Sequence, residues 1–504
     1  MKSERRKSKR ETKRNRSNAP ETLLLYLSQK GVGTMKLNYS IGTKQDAENI
    51  HEMSVKILSE VGAAFHSPET VALFKKHGAK VDGEIVYISK EMLEEVLKTV
   101  PRTYRLYDRD GGYITIGEGD LKCDSTDGPI YIRKEGKYDT PSHDHLVNFH
   151  KLSETSDVIA ISNPNIIDIS YVAPEVRNQY GLGVALRYCK KPMHGMVLGG
   201  KDVVEECFKT MQDFYGMYDK PIMHGLTCTV GPMQLAKDIC EAMSVLCTAG
   251  QPCTVVSGVM LGASGPQTMA GAYTIGNAMV LAAIVYSQLL RPGAPILYCT
   301  RFSSNDMKNM GPAYGGIEAM WACATSKMMA DYYGFPLQSG VGTGESKVLD
   351  IQCGAEGFMN HLSPHLLHAD ILNMACGPMD CMNTMCYEKF IWDEEDIIKC
   401  RHLMEGYEVN EETFRFEEIK KKGPTGSYLG RTLPIYRKEF YEPKYDIRDI
   451  HNNWVKNGEP ICEDLLTEAW KKRIEEYELP DLTGGRKKII EKLLPDEYRN
   501  AVLG

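Results

Sequence analysis

Short apolar runs recur across residues 158–376, and a helical pattern separates each run from the next. The clearest example is Ser257–Thr300, in which an apolar run, a helix rich in small residues over about Pro266–Leu290 and a second apolar run follow one another. A strand, a crossover helix and another strand within so short a segment form a βαβ unit, whose two strands are parallel. The pattern therefore predicts a parallel α/β protein with its functional residues at the carboxyl ends of the strands.

Seven buried strands are predicted in this region, and a helix is predicted between each strand and the next one along the chain. They are Val158–Ser162, Met193–Leu198, Ile222–Cys228, Cys253–Gly258, Ile296–Thr300, Leu337–Val341 and Ile371–Cys376. One more strand, from residues 121–133 or from near the N-terminus, would complete a TIM-type (β/α)8 barrel. A doubly wound open sheet is the alternative, but the chain has no GxGxxG motif after a first strand and no P-loop, so nucleotide binding is not favoured.

The remaining sequence predicts four regions. Residues 1–34 are dense in Lys and Arg without an amphipathic pattern, which is typical of a disordered basic tail. Residues 35–120 carry three helical patterns and are predicted to be an N-terminal helical cap, followed by the barrel over residues 121–400. Residues 401–504 are predicted to be a C-terminal helical extension packed on the barrel.

Composition excludes several classes of function. The apolar fraction of 42% and the charged fraction of 25% are ordinary for a globular protein, and the net charge of -7 argues against nucleic acid as a partner. No uninterrupted apolar run reaches the roughly 18 residues that span a bilayer. The 15 cysteines include no C-x-x-C pair. They indicate reduced thiols in the cytoplasm.

The loops that follow the predicted strands are poor in acids and bases and rich in glycine, methionine and aromatic residues. The loop after Thr300 contains Arg301, Phe302 and Tyr314, and Tyr298 lies in the strand before it. Aromatic faces attract a desolvated cation, and quaternary ammonium groups are the best-known ligands of this kind. These residues predict substrate contacts to an organic cation, with ordinary core packing as the alternative for each aromatic ring.

Two further loops contain candidate substrate-binding residues. One holds Gly342, Thr343, Gly344 and Glu345, where the glycines let a ligand approach the backbone. Glu345 is the candidate for stabilising a cation or transferring a proton, although a carboxylate at a helix start is also favourable without any such role. Asp127 lies in a polar loop and would reach a ligand if that loop closes the mouth of the barrel; an ordinary Asx turn is the alternative.

Possible metal ligands are sparse. His224 and Cys228 lie four positions apart on a predicted strand, which separates them by about 13 Å. His361 and His365 flank Pro364, which argues against a simple helical ligand pair. The sequence therefore predicts no metal site.

The chain resembles the trimethylamine methyltransferase superfamily over most of residues 35–401. The segments that carry the resemblance include GASGPQTMAGAYTIGNAMVLAAIVYSQLLRPGAPILY, SGVGTGESKVLDIQCGAEG, VPRTYRLYDRDGG and CYEKFIWDEEDI. The resemblance implies a TIM barrel that transfers methyl groups from methylated amines to a corrinoid protein. Because the sequence has no nonstandard residue, it is similar to the branch without pyrrolysine, whose members demethylate quaternary amines such as glycine betaine, proline betaine or carnitine.

The resemblance implies a methyltransferase that uses a quaternary amine and the cob(I)alamin of a cognate corrinoid protein, with no tightly bound cofactor of its own and possible homo-oligomer formation. Cob(I)alamin attacks a methyl carbon, and a quaternary ammonium then leaves as a neutral amine, so the protein has only to align the C–N bond and replace water around the cation. A betaine carboxylate also needs donors, for which Arg301, His194, His224 and the backbone amides of the Gly342 to Gly344 loop are candidates. A zinc-dependent barrel methyltransferase and a non-catalytic quaternary-ammonium-binding protein remain as alternatives.

Overall fold

The computed structural model describes residues 33–35, 37, 39–195, 199–229, 231–306, 308–428 and 433–503. Residues 1–32 of the predicted disordered tail lie outside the described residues. The chain divides into two compact units, Met1–Lys36 with Glu405–Glu439 and Leu37–Met404 with Phe440–Gly504. The second unit contains the predicted α/β repeat.

Eight short strands of this larger unit alternate with eight helices. The strands are β1 (Lys122–Asp124), β2 (Ile159–Ile161), β3 (Met193–His194), β4 (Met223–Cys228), β5 (Cys253–Met260), β6 (Ile296–Asn305), β7 (Gln338–Val341) and β8 (Ile371–Asn373). The helices that follow them are α1 (His143–Glu154), α2 (Arg177–Tyr188), α3 (Lys201–Tyr215), α4 (Lys237–Thr248), α5 (Met269–Leu290), α6 (Glu318–Tyr333), α7 (Ile351–Leu366) and α8 (Tyr387–Glu405). The strands β2 to β8 overlap the seven predicted strands, and β1 lies where an eighth was expected; residues 196–198 of the predicted strand Met193–Leu198 lie outside the described residues.

All pairings among the eight strands are parallel. One sheet has the order β2-β1-β8-β7, and β3, β4, β5 and β6 pair in sequence in another. Single parallel bridges join Ser162 to Met193 and Tyr298 to Leu337, next to the outer strands of the two groups. The predicted parallel α/β class is confirmed, and the loops after the strands share one edge of the sheets.

Helix α5 shows why its sequence is rich in small residues. Thr268 caps its start by accepting a hydrogen bond from the Gly271 amide. Gly276 lies so close to β5 that a Cβ atom there would be 2.8 Å from Ser257 Oγ. Among the described residues, α5 is the helix long and apolar enough to cross a membrane, and 78% of its most apolar window is buried inside the protein.

The N-terminal region of the larger unit mixes helices with strands. Its three predicted helices are present as Lys44–Glu60, Pro68–Lys76 and Lys90–Leu97, and the caps Thr43, Ser67 and Ser89 each accept a backbone hydrogen bond at their starts. A four-stranded sheet accompanies them, formed by Ala63–Phe65, Lys80–Asp82, Ile85–Tyr87 and Gln234–Leu235. An antiparallel hairpin follows, with strands Tyr104–Tyr107 and Tyr113–Ile116. The N-terminal region therefore combines the predicted helices with short alternating segments that pair as strands.

Several short elements decorate the α/β repeat. Another four-stranded sheet contains Tyr131–Lys134, Lys137–Asp139, Pro378–Met379 and Thr384–Cys386. A short strand, Pro312–Ala313, pairs with the end of β6, and a 3-10 turn, Pro174–Val176, precedes α2. The C-terminal part of this unit is helical, with His451–Lys456, Cys462–Glu475, Arg486–Leu493 and Asp496–Leu503. Buried polar contacts attach it to α8; Trp470 Nε1, for example, donates to Glu388 Oε1 at 3.0 Å.

The described residues of the smaller unit form a strand pair and three short helices. Its strand Gly33–Met35 pairs antiparallel with Tyr407–Val409. The helices Glu411–Phe414, Phe416–Lys422 and Leu433–Glu439 follow, and the first two contain no buried residue.

Candidate functional site

A cavity of about 390 Å³ opens at the carboxyl ends of β4 to β8. Its walls are mainly apolar and include Met260, Phe302, Tyr314, Met374 and Met382. A site of this size and composition suits a small organic molecule. The cavity lies where the parallel architecture is expected to place function.

Arg301 is the cationic side chain among the described residues that line the cavity. Its Nε donates to Cys299 Sγ at 3.2 Å. When the Asn373 amide nitrogen faces the Asp124 carboxylate, the Asn373 oxygen accepts from Arg301 Nη2 at 3.3 Å. No carboxylate of the described residues pairs with this guanidinium, so it is fixed by neutral groups and available to an anionic ligand.

Asp127 is the acidic side chain among the described residues of the cavity wall. Burial raises the pKa of this carboxyl to about 6, the nearby Asp124 carboxylate adds to the effect, and His194 and an Asn163 hydrogen bond oppose it. The charged form of Asp127 is therefore less stabilised than an exposed carboxylate. A cationic ligand in the cavity would restore that stabilisation.

A network of buried polar groups connects the same strand ends. His194 Nδ1 lies 2.9 Å from Asp124 Oδ2, and the His194 ring centroid is 4.6 Å from that of His224. His224 Nε2 lies 2.9 Å from Thr254 Oγ1, and burial lowers the pKa of this histidine well below its ordinary value. Neither histidine is among the residues that line the cavity. Of the three side chains predicted to bind a ligand carboxylate, Arg301 is therefore the one that faces the cavity, and its role stays a prediction.

The structure brings together four of the predicted substrate-binding residues, and these are Asp127, Arg301, Phe302 and Tyr314. Tyr298 is instead fully buried against α5, where its hydroxyl donates to Asn277 Oδ1 at 2.7 Å and lies 2.9 Å from the Tyr273 hydroxyl. Its position on β6 turns the ring toward the helix layer and away from the cavity.

The predicted loop of Gly342, Thr343, Gly344 and Glu345 lies behind the cavity wall, and these residues are not among those lining it. Glu345 accepts hydrogen bonds from the Gly315 amide at 2.8 and 3.1 Å, next to Tyr314. Burial is the main cause that raises the pKa of Glu345. The carboxylate therefore supports the loop that carries the Tyr314 ring.

Met374, Met382 and Asn373 line the cavity but were not predicted as site residues. The predicted strand Ile371–Cys376 ran to Cys376, whereas β8 ends at Asn373, so Asn373 and Met374 are at a strand end where function was expected. Met382 belongs to a reversal in which Asp380, Cys381 and Met382 all have positive φ angles of 54° to 71°. No local sequence signal indicates this conformation, because non-glycine residues rarely adopt it.

The donor set for a metal is weak. The described residues contain no group of three or more His, Cys, Asp or Glu side chains placed to hold an ion. Pro364 lies inside α7, which continues to Leu366, and His365 Nδ1 lies 2.7 Å from the His361 carbonyl oxygen. His365 thus makes a contact within its own helix, whereas His361 Nε2 lies 3.0 Å from the Ala375 carbonyl oxygen after β8.

Known proteins resemble the chain over most of its length. The proline betaine:corrinoid methyltransferase of Eubacterium limosum is 32% identical and covers 90% of this chain and 97% of its own. The L-carnitine:corrinoid methyltransferase of the same organism is 29% identical with the same coverage. The solved monomethylamine methyltransferase of Methanosarcina barkeri shares the fold, with a TM-score of 0.53, 10% identity, and coverage of 88% of this chain and 90% of that one. Residues 3–495 match the family described as trimethylamine methyltransferase (MTTB), and the chain therefore belongs to this family.

Proposed function

We propose that this protein transfers a methyl group from a carboxylate-bearing quaternary amine, a betaine, to the cob(I)alamin of a partner corrinoid protein. The relatives named for proline betaine and L-carnitine support this activity. The observation that carries the proposal is the presence of one acidic and one cationic side chain, Asp127 and Arg301, in the wall of one apolar cavity. A betaine carries both complementary charges.

The apolar wall suits the reacting end of such a substrate. Methyl transfer to cobalt removes the positive charge from nitrogen, so strong anionic pairing would stabilise the substrate more than the transition state. Thioether and aromatic groups such as Met260, Phe302 and Tyr314 replace water around the cation with weaker attraction. Asp127, with its pKa raised to about 6, adds a single carboxylate to this lining.

Arg301 would hold the other end of the substrate. Its guanidinium can form two parallel hydrogen bonds with a carboxylate, which fixes both position and orientation. The contacts to Cys299 and Asn373 hold the guanidinium in place before the substrate binds. Fixing the carboxylate would aim the methyl group for in-line attack.

We also propose that the eight parallel strands form a TIM-type barrel in the cytoplasm. The two single bridges, Ser162 to Met193 and Tyr298 to Leu337, support closure because each lies between neighbouring ends of the two strand groups. All 15 cysteines are free thiols, which supports a reducing compartment.

The test is methylation of cob(I)alamin, followed by its visible absorbance, with free cobalamin and with candidate corrinoid proteins. The substrate panel contains glycine betaine, proline betaine, carnitine, γ-butyrobetaine and trimethylamine. We expect methylcobalamin with at least one betaine and none with trimethylamine. Tight binding of a betaine without methyl transfer would contradict the proposal and support a ligand-binding protein, whereas activity that depends on added zinc would support the zinc-dependent alternative.

A further inference from the structure

Helix α8 buries an ion pair that takes no direct part in the cavity. Lys389 Nζ lies 2.8 and 2.6 Å from the two carboxylate oxygens of Asp393, and the side chains are 2% and 0% exposed. Removing two charges from water is costly, so such a pair is weak evidence for stability by itself. Its further hydrogen bonds indicate what the pair does.

Each partner also binds the backbone of a different loop. Lys389 Nζ donates to the Gly342 carbonyl oxygen at 3.0 Å, directly after β7. Asp393 Oδ2 accepts from the Gly377 amide at 2.8 Å, in the loop after β8. The ion pair therefore connects the carboxyl ends of two neighbouring strands through charge-assisted hydrogen bonds.

The two loops are packed too closely to move independently. A Cβ atom on Gly342 would lie 2.5 Å from the Ala375 carbonyl oxygen and 2.6 Å from that of Met374. The Met382 amide donates to Thr343 Oγ1 at 3.1 Å, which attaches the reversed segment to the β7 loop. A change at Gly342 or Gly377 is therefore transmitted to neighbouring residues.

Those neighbours form one wall of the cavity. Val341 precedes Gly342 in the chain, and Met374 and Met382 lie on either side of Gly377 in sequence; all three side chains line the cavity. We propose that Lys389 and Asp393 are positioning residues, which set the spacing of the β7 and β8 loops and thereby the wall against which the substrate methyl group is aligned. This inference rests on the proposed function.

The test replaces both charges at once, because a single substitution would leave a buried charge without its partner. The double variant Lys389→Met/Asp393→Leu introduces apolar side chains of similar length and removes the hydrogen bonds to Gly342 and Gly377. The control is Arg473→Met/Glu394→Leu, a second charged pair between α8 and the C-terminal helix Cys462–Glu475. Arg473 donates its other hydrogen bonds to Leu152 and Thr155, which do not line the cavity.

We expect kcat for betaine-dependent methylation to fall by about 10- to 100-fold in the first variant, because small errors in alignment are costly. KM should change by less than about threefold, since Asp127 and Arg301 keep their places. The control variant should retain the wild-type kcat. Equal losses of kcat in both variants would overturn the proposal and indicate a general structural role.

Amide hydrogen exchange gives a second readout that does not require activity. Exchange over residues 342–346 and 374–382 should be faster in the first variant and unchanged in the control. A folded first variant with wild-type exchange and wild-type kcat would refute the positioning role. If none of the quaternary amines supports methylation of cobalamin by the wild-type protein, the proposed function fails. Faster exchange in the first variant alone would still show that the ion pair fixes these loops.

Discussion

The Asp124 carboxylate and the His194 imidazole form a buried pair between the ends of β1 and β3, with 2.9 Å between Oδ2 and Nδ1. The two side chains are 1% and 2% exposed. The amide of Met374, directly after β8, also donates to Asp124 Oδ1. One carboxylate thus connects the carboxyl ends of three strands beneath the cavity wall.

Replacing Asp124 by alanine should destabilise the protein strongly. The His194 and Met374 donors would lose their acceptor in a buried site, at about 1–3 kcal/mol for each unsatisfied group. Urea denaturation should show the loss in the free energy of unfolding. The control is Asp120→Ala, whose exposed pair with Lys122 is expected to contribute less than about 1 kcal/mol. Equal stabilities of the two variants would contradict the role of Asp124 as a junction.

Asp127 should make substrate binding dependent on pH. Its pKa of about 6 means that the carboxylate is charged above this pH and neutral below it. The KM for a betaine should therefore rise as the pH falls through 6, and Asp127→Asn should remove this dependence. Steady-state methylation across this range measures it, and an unchanged pH profile in the variant would exclude Asp127 as the cause.

The same shift predicts a change in stability. The folded-state pKa of Asp127 lies above the ordinary value of 3.8, so ionisation costs the folded state more than the unfolded state. The stability associated with the neutral carboxyl is present below the unfolded pKa and is lost as the pH rises through 6. The Tm difference between Asp127→Asn and the wild-type protein should therefore be more positive at about pH 8 than at about pH 4. Thermal unfolding at the two pH values checks the sign.

Arg301→Gln should discriminate between substrates with and without a carboxylate. Loss of the guanidinium should raise the KM for a betaine by about 30- to 100-fold, equivalent to roughly 2–3 kcal/mol. Any methyl transfer from tetramethylammonium, which has no carboxylate, should change little. The control Arg291→Gln alters an arginine that donates to the Thr248 carbonyl oxygen outside the cavity. Equal losses with both methyl donors would show that Arg301 does not recognise the carboxylate.

The sequence predicted the strands well because buried parallel strands are continuous apolar runs, and helices with small residues mark close packing. It also placed Arg301 in the loop after a strand, and Asp127 in a polar loop that would reach a ligand if it closed the mouth of the barrel; both side chains line the cavity. The Gly342 loop was expected to contact substrate because of its glycines. In the structure Gly342 meets the backbone of Met374 and Ala375 instead, and this contact depends on how two distant strands are paired.

Other parts of the site depend on conformations that residue type does not reveal. Asp380, Cys381 and Met382 adopt positive φ angles, and backbone bonds from Asp380 to Ser346 and from Cys381 to Gly344 hold the reversal. These contacts join segments more than thirty positions apart, so local propensity carries no information about them. The position of Met382 in the cavity wall could therefore be found only from the tertiary structure.

Tyr298 and Tyr314 provide a direct test of which aromatic residues act on substrate. Tyr298→Phe removes the hydroxyl that donates to Asn277 in the core, so the free energy of unfolding should fall by about 1–3 kcal/mol while KM stays unchanged. Tyr314→Leu removes an aromatic face from the cavity wall and should raise the KM for a betaine by about 5- to 30-fold, since cation–π attraction at a desolvated site is worth roughly 1–2 kcal/mol.

Urea denaturation and methylation kinetics on both variants separate the two roles. A large KM effect in Tyr298→Phe would place that ring in substrate binding, contrary to its burial against α5. A normal KM in Tyr314→Leu would show that the apolar wall without this ring suffices to hold the cation. Because the two tyrosines belong to the same strand–loop segment, opposite outcomes would show that the orientation of the ring, and not its position in the sequence, decides whether it contacts the substrate.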